Sequence, residues 1–298
     1  MKKIIVFVGQ VIGSGKQLVE VMNQYSQDEF VVMCYSDVLV SVHDGTVAML
    51  DVAGRDIFDG VSCVYLRGLS NESLRHVLAA YAASVGVPVI NEASYRYEAM
   101  SKIEQYVTLA LAGVPVPDSV YVQRKDYYQY VPALLGCDMP IVAKSITGKN
   151  GKDNVLVSDE RELAAVAVDH PVFQPFIPNT FDYRVIVAGG EVILTYKRTR
   201  RAETSVYQNN ISRGGTAEIV SLPEHLKLMA ITAAQAVGRD LAGLDILPST
   251  DGRTNVVLEV NFNFGKPLFN DDDVQEVAYH RKLAAYFSKR ATKGDIHD

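Results

Sequence analysis

Leu244-Asp245-Ile246-Leu247 and Val256-Val257-Leu258-Glu259-Val260-Asn261 are the two runs whose reading decides the fold. Both are apolar and rich in β-branched residues, so both read as strands. The turn-rich Pro248-Ser249-Thr250-Asp251-Gly252-Arg253 between them predicts an antiparallel pair. Side chains alternate along a strand, so Glu259 and Asn261 point to one side. Asp245, inside the facing strand, can lie opposite them. Two carboxylates and a carboxamide are hard oxygen ligands, the set that suits Mg²⁺ held together with nucleotide phosphates. A core-facing Glu-x-Asn without a cation would be costly, because a buried charge needs a partner. The plainer alternative is a strand whose polar face meets water.

Composition leaves room for that site. The chain has 298 residues, enough for two domains or a two-domain enzyme with a lid. It is 48% hydrophobic and 21% charged, as a packed soluble protein should be. A net charge of -6 with no dense Lys/Arg block argues against nucleic acid or an anionic membrane as partner. No apolar run approaches the roughly 20 residues that span a bilayer. Lys2-Lys3 before Ile4-Ile5-Val6-Phe7-Val8 is too short a stretch for a signal peptide. Cys34, Cys63 and Cys137 match no disulfide or zinc framework, which suits the cytoplasm.

The chain reads in two halves. Residues 4–8, Phe30 to Tyr35, Val61 to Leu66 and Val87 to Ile90 are expected strands, with helices over Gln17 to Tyr25 and Glu72 to Ser84. That alternation predicts a parallel, doubly wound α/β domain over residues 1–95. A helix over 98–112 ends at Gly113-Val114-Pro115-Val116-Pro117, and from there strands come in pairs. Ile141 to Lys144 and Asn154 to Val157 flank a glycine-rich turn. Arg184 to Val187 and Val192 to Lys197 make a hairpin around Ala188-Gly189-Gly190-Glu191. Helices over Leu226 to Val237 and residues 273–288 complete the second half, residues 96–298.

Gly9-Gln10-Val11-Ile12-Gly13-Ser14-Gly15-Lys16-Gln17 sits between a strand and a helix, as a P-loop does. Gln10 and Gln17 stand where that pattern needs glycine and a hydroxyl, so a tight crossover turn explains these glycines better. Lys144-Ser145-Ile146-Thr147-Gly148-Lys149-Asn150-Gly151-Lys152 is a better anion site. Gly148 and Gly151 allow backbone N–H groups onto phosphate oxygens, helped by Lys149 or Lys152, and Lys144 adds a point charge on a strand. An ordinary basic hairpin tip is the alternative. Phe173-Gln174-Pro175-Phe176-Ile177-Pro178 is apolar and extended, fit to cover an adenine ring. Asp182-Tyr183-Arg184, Lys197-Arg198-Thr199-Arg200-Arg201 and the polar Asn209-Asn210-Ile211-Ser212-Arg213-Gly214-Gly215 follow. Cations at a strand end before an Asn/Arg/Gly loop favour an anion site over a solvated face.

In this order the pieces resemble the ATP-grasp superfamily, in its glutamate-ligase-like and glutathione-synthetase-like branch, from about Ser101 to Gly265. Ser101-Lys102 and Ala112-Gly113-Val114-Pro115-Val116-Pro117 look like the family's lysine and "AGIPxP" exit. Pro140 to Lys144 resembles the strand of the second ATP lysine, and Gly148 to Gly151 the phosphate loop. Gln174-Pro175-Phe176-Ile177 looks like the "QEFI" hinge. Asp182-Tyr183-Arg184, Lys197-Arg198 and Asn210 to Gly215 are similar to the "DxR", "KR" and "NxxRGG" elements. Asp245, Glu259 and Asn261 match the metal-ligand positions. Pro175 replaces the usual acid, and Phe262-Asn263-Phe264-Gly265 replaces a small-residue "NSSPG" tail beside the acceptor site, which separates this chain from the family's usual substrate.

The resemblance implies an α/β fold with an N-terminal pre-ATP-grasp domain and a two-lobed ATP-grasp domain, its lid at about 118–176 and its metal-binding lobe at 177–298. It implies an ATP- and Mg²⁺-dependent carboxylate–amine ligase, with Mn²⁺ able to replace Mg²⁺. Asp245, Glu259 and Asn261 would hold the metal. Lys102, Lys144, Gly148, Lys149, Gly151, Gln174, Phe176, Ile177, Asp182, Arg184 and Lys197 would bind the nucleotide. Arg213, with Asn210 and the Gly214-Gly215 amides, would face the oxyanion, and Arg198 would hold the carboxylate. Arg67 is either a substrate contact or a surface arginine. The rival readings are an ATP-grasp kinase acting on a hydroxyl and a nucleotide-binding scaffold without turnover. Neither substrate is named by the sequence, which leaves a small molecule or a peptide open, and a homo-oligomer too.

Overall fold

The computed structural model describes residues 1–10, 14–68, 71–96, 100–146, 154–199, 216–248, 255–264, 269 and 274–292. The chain begins with β1 (Lys3–Val8), α1 (Ser14–Tyr25), β2 (Glu29–Cys34), β3 (Leu39–His43), β4 (Thr46–Leu50), β5 (Val61–Leu66), α2 (Glu72–Ser84) and α3 (Ala93–Arg96). The apolar runs β2-β1-β5 pair in parallel, as strands buried on both faces should. Val87 to Ile90, expected as a fourth strand, forms only a bridge between Val64 and Val89. Pro88 has no N–H with which to extend that ladder. The sequence reading missed the β3–β4 hairpin. Its Asp44-Gly45 corner has φ of 47° and 76°, the paired positive values of a tight hairpin turn.

The helix expected over 98–112 is α4 (Lys102–Leu111), which starts later than the periodicity suggests. Ser101 and Glu104 close a capping box there, Ser101 N–H donating to Glu104 Oε2 at 2.6 Å, and that fixes the first turn. Then come β6 (Val120–Tyr121), α5 (Val131–Leu135), β7 (Ile141–Ser145), β8 (Asn154–Val157), α6 (Glu160–Ala165) and β9 (Pro171–Pro175). These strands form an antiparallel sheet in the order β6-β9-β7-β8 over a small core of Tyr128, Val131, Ile141, Ala143 and Phe173. The last part is β10 (Phe181–Ala188), β11 (Glu191–Thr199), β12 (Thr216–Ile219), α7 (Glu224–Ala236), β13 (Leu241–Pro248), β14 (Asn255–Asn261) and α8 (Val274–Thr292). Its antiparallel sheet runs β12-β11-β10-β13-β14, so the strand pair that opens the sequence reading is in place.

The two halves share a core. Val6, Phe30 and Tyr65 of the parallel sheet join Ile186, Leu194 and Leu241 of the five-stranded one through Leu283 and Phe287 of α8. Phe287 is fully buried, with ring centres of Phe30 and Tyr65 each 5.6 Å away. Burying such a ring contributes about 1.5–3 kcal/mol. Asn91, buried at φ 60°, adds a polar tie: its Nδ2 donates to Leu241 O and its Oδ1 accepts from Leu241 N–H, both at 2.8 Å. The N-terminal unit is thereby pinned to the first residue of β13, upstream of Asp245.

Candidate functional site

Cross-strand register builds one charged face on the five-stranded sheet. Asp245 pairs with Arg184 on one side and with Glu259 on the other, while Asn261 stands opposite Gly243 and Asp182 opposite Arg198. Directly paired residues share a face, and so do residues two apart. Asp182, Arg184, Arg198, Asp245, Glu259 and Asn261 therefore lie together. Gly243 leaves room there that no other residue could: a Cβ would sit 2.9 Å from Phe264 and 3.1 Å from Arg184 Nη1.

Half of this face is saturated. Arg198 donates through Nε and Nη2 to both oxygens of Asp182, at 2.6 and 2.8 Å, and through Nη2 to Asp245 Oδ1 at 2.9 Å. Arg184 Nη2 donates to Asp245 Oδ2 at 3.0 Å, and its Nε lies 2.6 Å from Oδ1. Burial alone would lower the Arg198 pKa, but Asp245 and Asp182 more than reverse it and keep the guanidinium charged. Arg198, expected to hold a substrate carboxylate, instead has both its working edges on protein carboxylates. Lys197, one residue earlier, belongs to the other face, over the Phe181 ring at 4.6 Å and 3.5 Å from Glu218.

The other half is open. Glu259 and Asn261 are half-buried, and neither side chain has a hydrogen bond or ion pair among the described residues. β14 is an edge strand, yet its outer backbone groups are satisfied: Tyr106 OH donates to Leu258 O at 3.1 Å, Val260 N–H to Gln105 Oε1 at 3.1 Å, and Val257 N–H to Pro115 O at 2.9 Å. α4 thus brackets Glu259 from both sides. The sequence reading missed Gln105 and Tyr106, since their task appears only once α4 lies along the strand. Burial raises the Tyr106 pKa, a nearby Gln174 amide lowers it, and Glu259 raises it again.

Two sheets meet at this strand. Lys102 N–H donates to Ile146 O at 3.3 Å, which joins the start of α4 to the end of β7 and brings Lys102 beside Lys144. Burial and then Lys102 push the Lys144 ammonium down to about 8, and Glu259 pulls it back up. A lysine in the first turn of α4 also opposes the helix dipole, a placement that favours an anion nearby. Gln174 is buried, its Nε2 donating to Ser119 Oγ at 2.8 Å. Phe176 N–H donates to Pro140 O at 3.1 Å, and Ile177 O accepts from Asn179 Nδ2 at 3.0 Å. Half-buried Arg67 lies near Tyr65 and Tyr279, whose hydroxyls its charge lowers against the raising effect of burial. Gly148, Lys149, Gly151, Asn210 and Arg213 lie outside the described residues.

The donor set fits a hard divalent cation. Among the described residues, Glu259 supplies an acid and Asn261 a carbonyl oxygen, neither held by a hydrogen bond or ion pair. Asp245 receives three contacts from arginine, and a carboxylate has about four lone-pair sites, so one remains. No group of three His, Cys, Asp or Glu able to hold a metal occurs among the described residues.

Comparison with known proteins bears on the family and the fold. A family profile described as the RimK-like ATP-grasp domain matches residues 99–284. A probable alpha-L-glutamate ligase of Enterobacter sp. is 29% identical over 214 residues, 69% of each chain. Human N-acetylaspartylglutamate synthase A is 30% identical over 205 residues, 66% of this chain and 50% of that one. Among solved structures, the ATP-grasp ligase PsnB with a phosphomimetic minimal precursor, Mg and ADP superposes with a TM-score of 0.72 at 18% identity, covering 97% of this chain and 98% of that one. A RimK domain ATP-grasp protein from Sphaerobacter thermophilus gives 0.63 at 21% identity, over 96% and 99%. At such identities the superpositions speak to the fold.

Proposed function

This chain belongs to the RimK-like ATP-grasp family and is a ligase, and from that premise we propose that it couples a carboxylate to an amine through an acyl phosphate, releasing ADP and phosphate. The observation that carries the reading is the convergence of Lys102, Lys144 and Glu259 from α4, β7 and β14 on one site. A carboxylate is a poor electrophile, so its oxygen first takes the γ-phosphoryl group of ATP. Phosphoryl transfer needs positioning and charge neutralisation more than covalent help. Lys102 and Lys144 supply fixed positive charge for the phosphates. Glu259, Asn261 and the remaining lone pair of Asp245 would hold Mg²⁺, or Mn²⁺, whose charge would offset that of the β- and γ-phosphates when bound.

Arg198 and Arg184 act in this reading as positioning residues that fix the Asp245 carboxylate. The amine then attacks the acyl carbon, and Arg213 with the Gly214-Gly215 amides and Asn210 is assigned to the oxyanion from the motif alone. A kinase that stops at phosphoryl transfer is not favoured, because the named relatives are ligases. No described helix is long and apolar enough to cross a membrane, and Cys34, Cys63 and Cys137 are free, which supports a cytoplasmic setting. Small acids and amines or a peptide acceptor both remain within the substrate class. The test is product analysis with hydroxylamine as trapping amine: a hydroxamate together with ADP is expected. AMP and pyrophosphate as main products would overturn the mechanism.

A further inference from the structure

Two buried arginines from distant parts of the chain meet at one aromatic ring. Arg75 lies in α2 and Arg239 follows α7, yet their guanidinium carbons are 5.7 and 5.4 Å from the centre of the Phe262 ring. They are 5% and 6% exposed. Arg75 Nη1 donates to Gly68 O at 2.7 Å, but its Nε has no acceptor, and neither Nε nor Nη1 of Arg239 has one. No carboxylate forms an ion pair with either among the described residues. The ring face attracts a cation but cannot satisfy several in-plane N–H groups. Buried donors in native proteins are nearly always bonded, so a cluster of orphans calls for an acceptor that comes from outside.

The place of this cluster says what the acceptor serves. Phe262 directly follows the metal-ligand candidate Asn261 and is half-buried, the least covered member of the cluster. Glu259 acts electrostatically on Arg239 as well as on Lys144, which puts Arg239 within reach of the proposed reaction centre. Burial drives the Arg239 pKa down to about 10, with Glu259 and Tyr95 opposing, as expected where counter-charge is short. The guanidinium fork matches a carboxylate in plane and spacing. Neither arginine belongs to the nucleotide or metal motifs.

We propose that Arg75, Arg239 and the Phe262 ring form a carboxylate clamp that holds a substrate carboxylate not consumed in the ligation. The inference rests on the ligase reading and narrows its substrate class to molecules with an acidic group besides the reacting one. That group sits either on the amine-bearing substrate or on a dicarboxylate donor.

Isothermal titration of the full chain with L-glutamate, glutarate and neutral glutaramide, with and without Mg²⁺ and a non-hydrolysable ATP analogue, tests it. At least one carboxylate should bind while glutaramide does not. R239Q should weaken that binding by about thirtyfold or more, as removal of one partner of a buried charge pair does, and leave the analogue's affinity unchanged. An effect on L-glutamate alone assigns the clamp to the amine substrate, and one on glutarate assigns it to the donor. R239K, which keeps the charge but not the fork, should also weaken binding and replaces R239Q if that variant lacks a cooperative melt. Absence of carboxylate binding to the wild type, or equal binding by the variants, overturns the clamp. Failure to bind the ATP analogue would instead strike the ligase reading, while the titrations without nucleotide still decide the clamp.

Discussion

Two groups of charges share the face of the five-stranded sheet, and they differ in whether the protein answers them. Around Arg198, every carboxylate oxygen of Asp182 and Asp245 has a guanidinium partner. Around Glu259, an acid with no hydrogen bond or ion pair among the described residues, a depressed lysine and a buried arginine with orphan donors act on one another's charge. Burial penalises a charge wherever it goes unanswered. The first group is held by its own ion pairs, with one lone pair of Asp245 left over, and so it fixes geometry. The second leaves charges that a phosphate, metal or carboxylate would complete, and in the proposed reading it is the half that binds.

The largest effect should come from the open group. Glu259→Gln keeps shape but removes a ligand charge, and the loss of several kcal/mol of charge stabilisation in the transition state corresponds to roughly thousandfold slower turnover. Stability should change by no more than about 1 kcal/mol, since no hydrogen bond or ion pair among the described residues is lost and only the longer-range attraction to Lys144 and Arg239 goes. Steady-state ADP release and urea unfolding measure the two. A variant that turns over normally would remove Glu259 from the site.

Arg198→Met should show the reverse pattern. It leaves the Asp182 carboxylate buried without a partner and should destabilise the fold by about 3–5 kcal/mol in urea unfolding. Adding Asp182→Leu should recover most of that loss, because an apolar pair of similar volume replaces a pair that is costly to bury. A small loss in the single variant would mean that the paired group is not the structural half.

The open and paired halves were unequally legible in the sequence. Strand alternation alone brings Glu259 and Asn261 together, and a turn-rich link suffices to lay Asp245 beside them. Asp182 and Arg198 are sixteen positions apart, and only the register of β10 on β11 reveals that they are cross-strand partners. A run of cations near a strand end therefore reads as an anion site, while in the fold Lys197 and Arg198 face opposite ways. The clamp arginines did leave signals. Arg75, Leu78, Ala79 and Ala82 form the buried stripe of α2, so Arg75 occupies a core position of its helix. Arg239 follows Gly238 at a helix end where Gly238 N–H bonds Gln235 O and Arg239 N–H bonds Ala234 O, the place that usually holds an apolar residue. A charge in each apolar slot was readable, but their meeting at Phe262 depends on tertiary packing that brings both guanidinium groups to one ring.

The smallest effect tests whether Lys144 belongs with the open cations. An unperturbed lysine titrates near 10.4, and here burial and Lys102 bring it to about 8. Between about pH 8 and 10 the unfolded chain holds this proton while the folded chain has released it. The unfolded state then binds more protons, so this group makes folding more favourable as pH rises through that window, and its penalty is fully present below pH 8. Phosphates placed on Lys144 favour the charged form and should drive its pKa up again. Binding of an ATP analogue at pH 9 should therefore take up a fraction of a proton, and affinity should fall as pH rises past 8. Titration calorimetry in two buffers of different ionisation enthalpy reads the uptake directly. Lys144→Arg is protonated throughout and should bind the analogue with less uptake. Equal uptake in the two proteins would show that the nucleotide does not meet Lys144, and the contrast between a closed and an open set of charges would then rest on Glu259 and Arg239 alone.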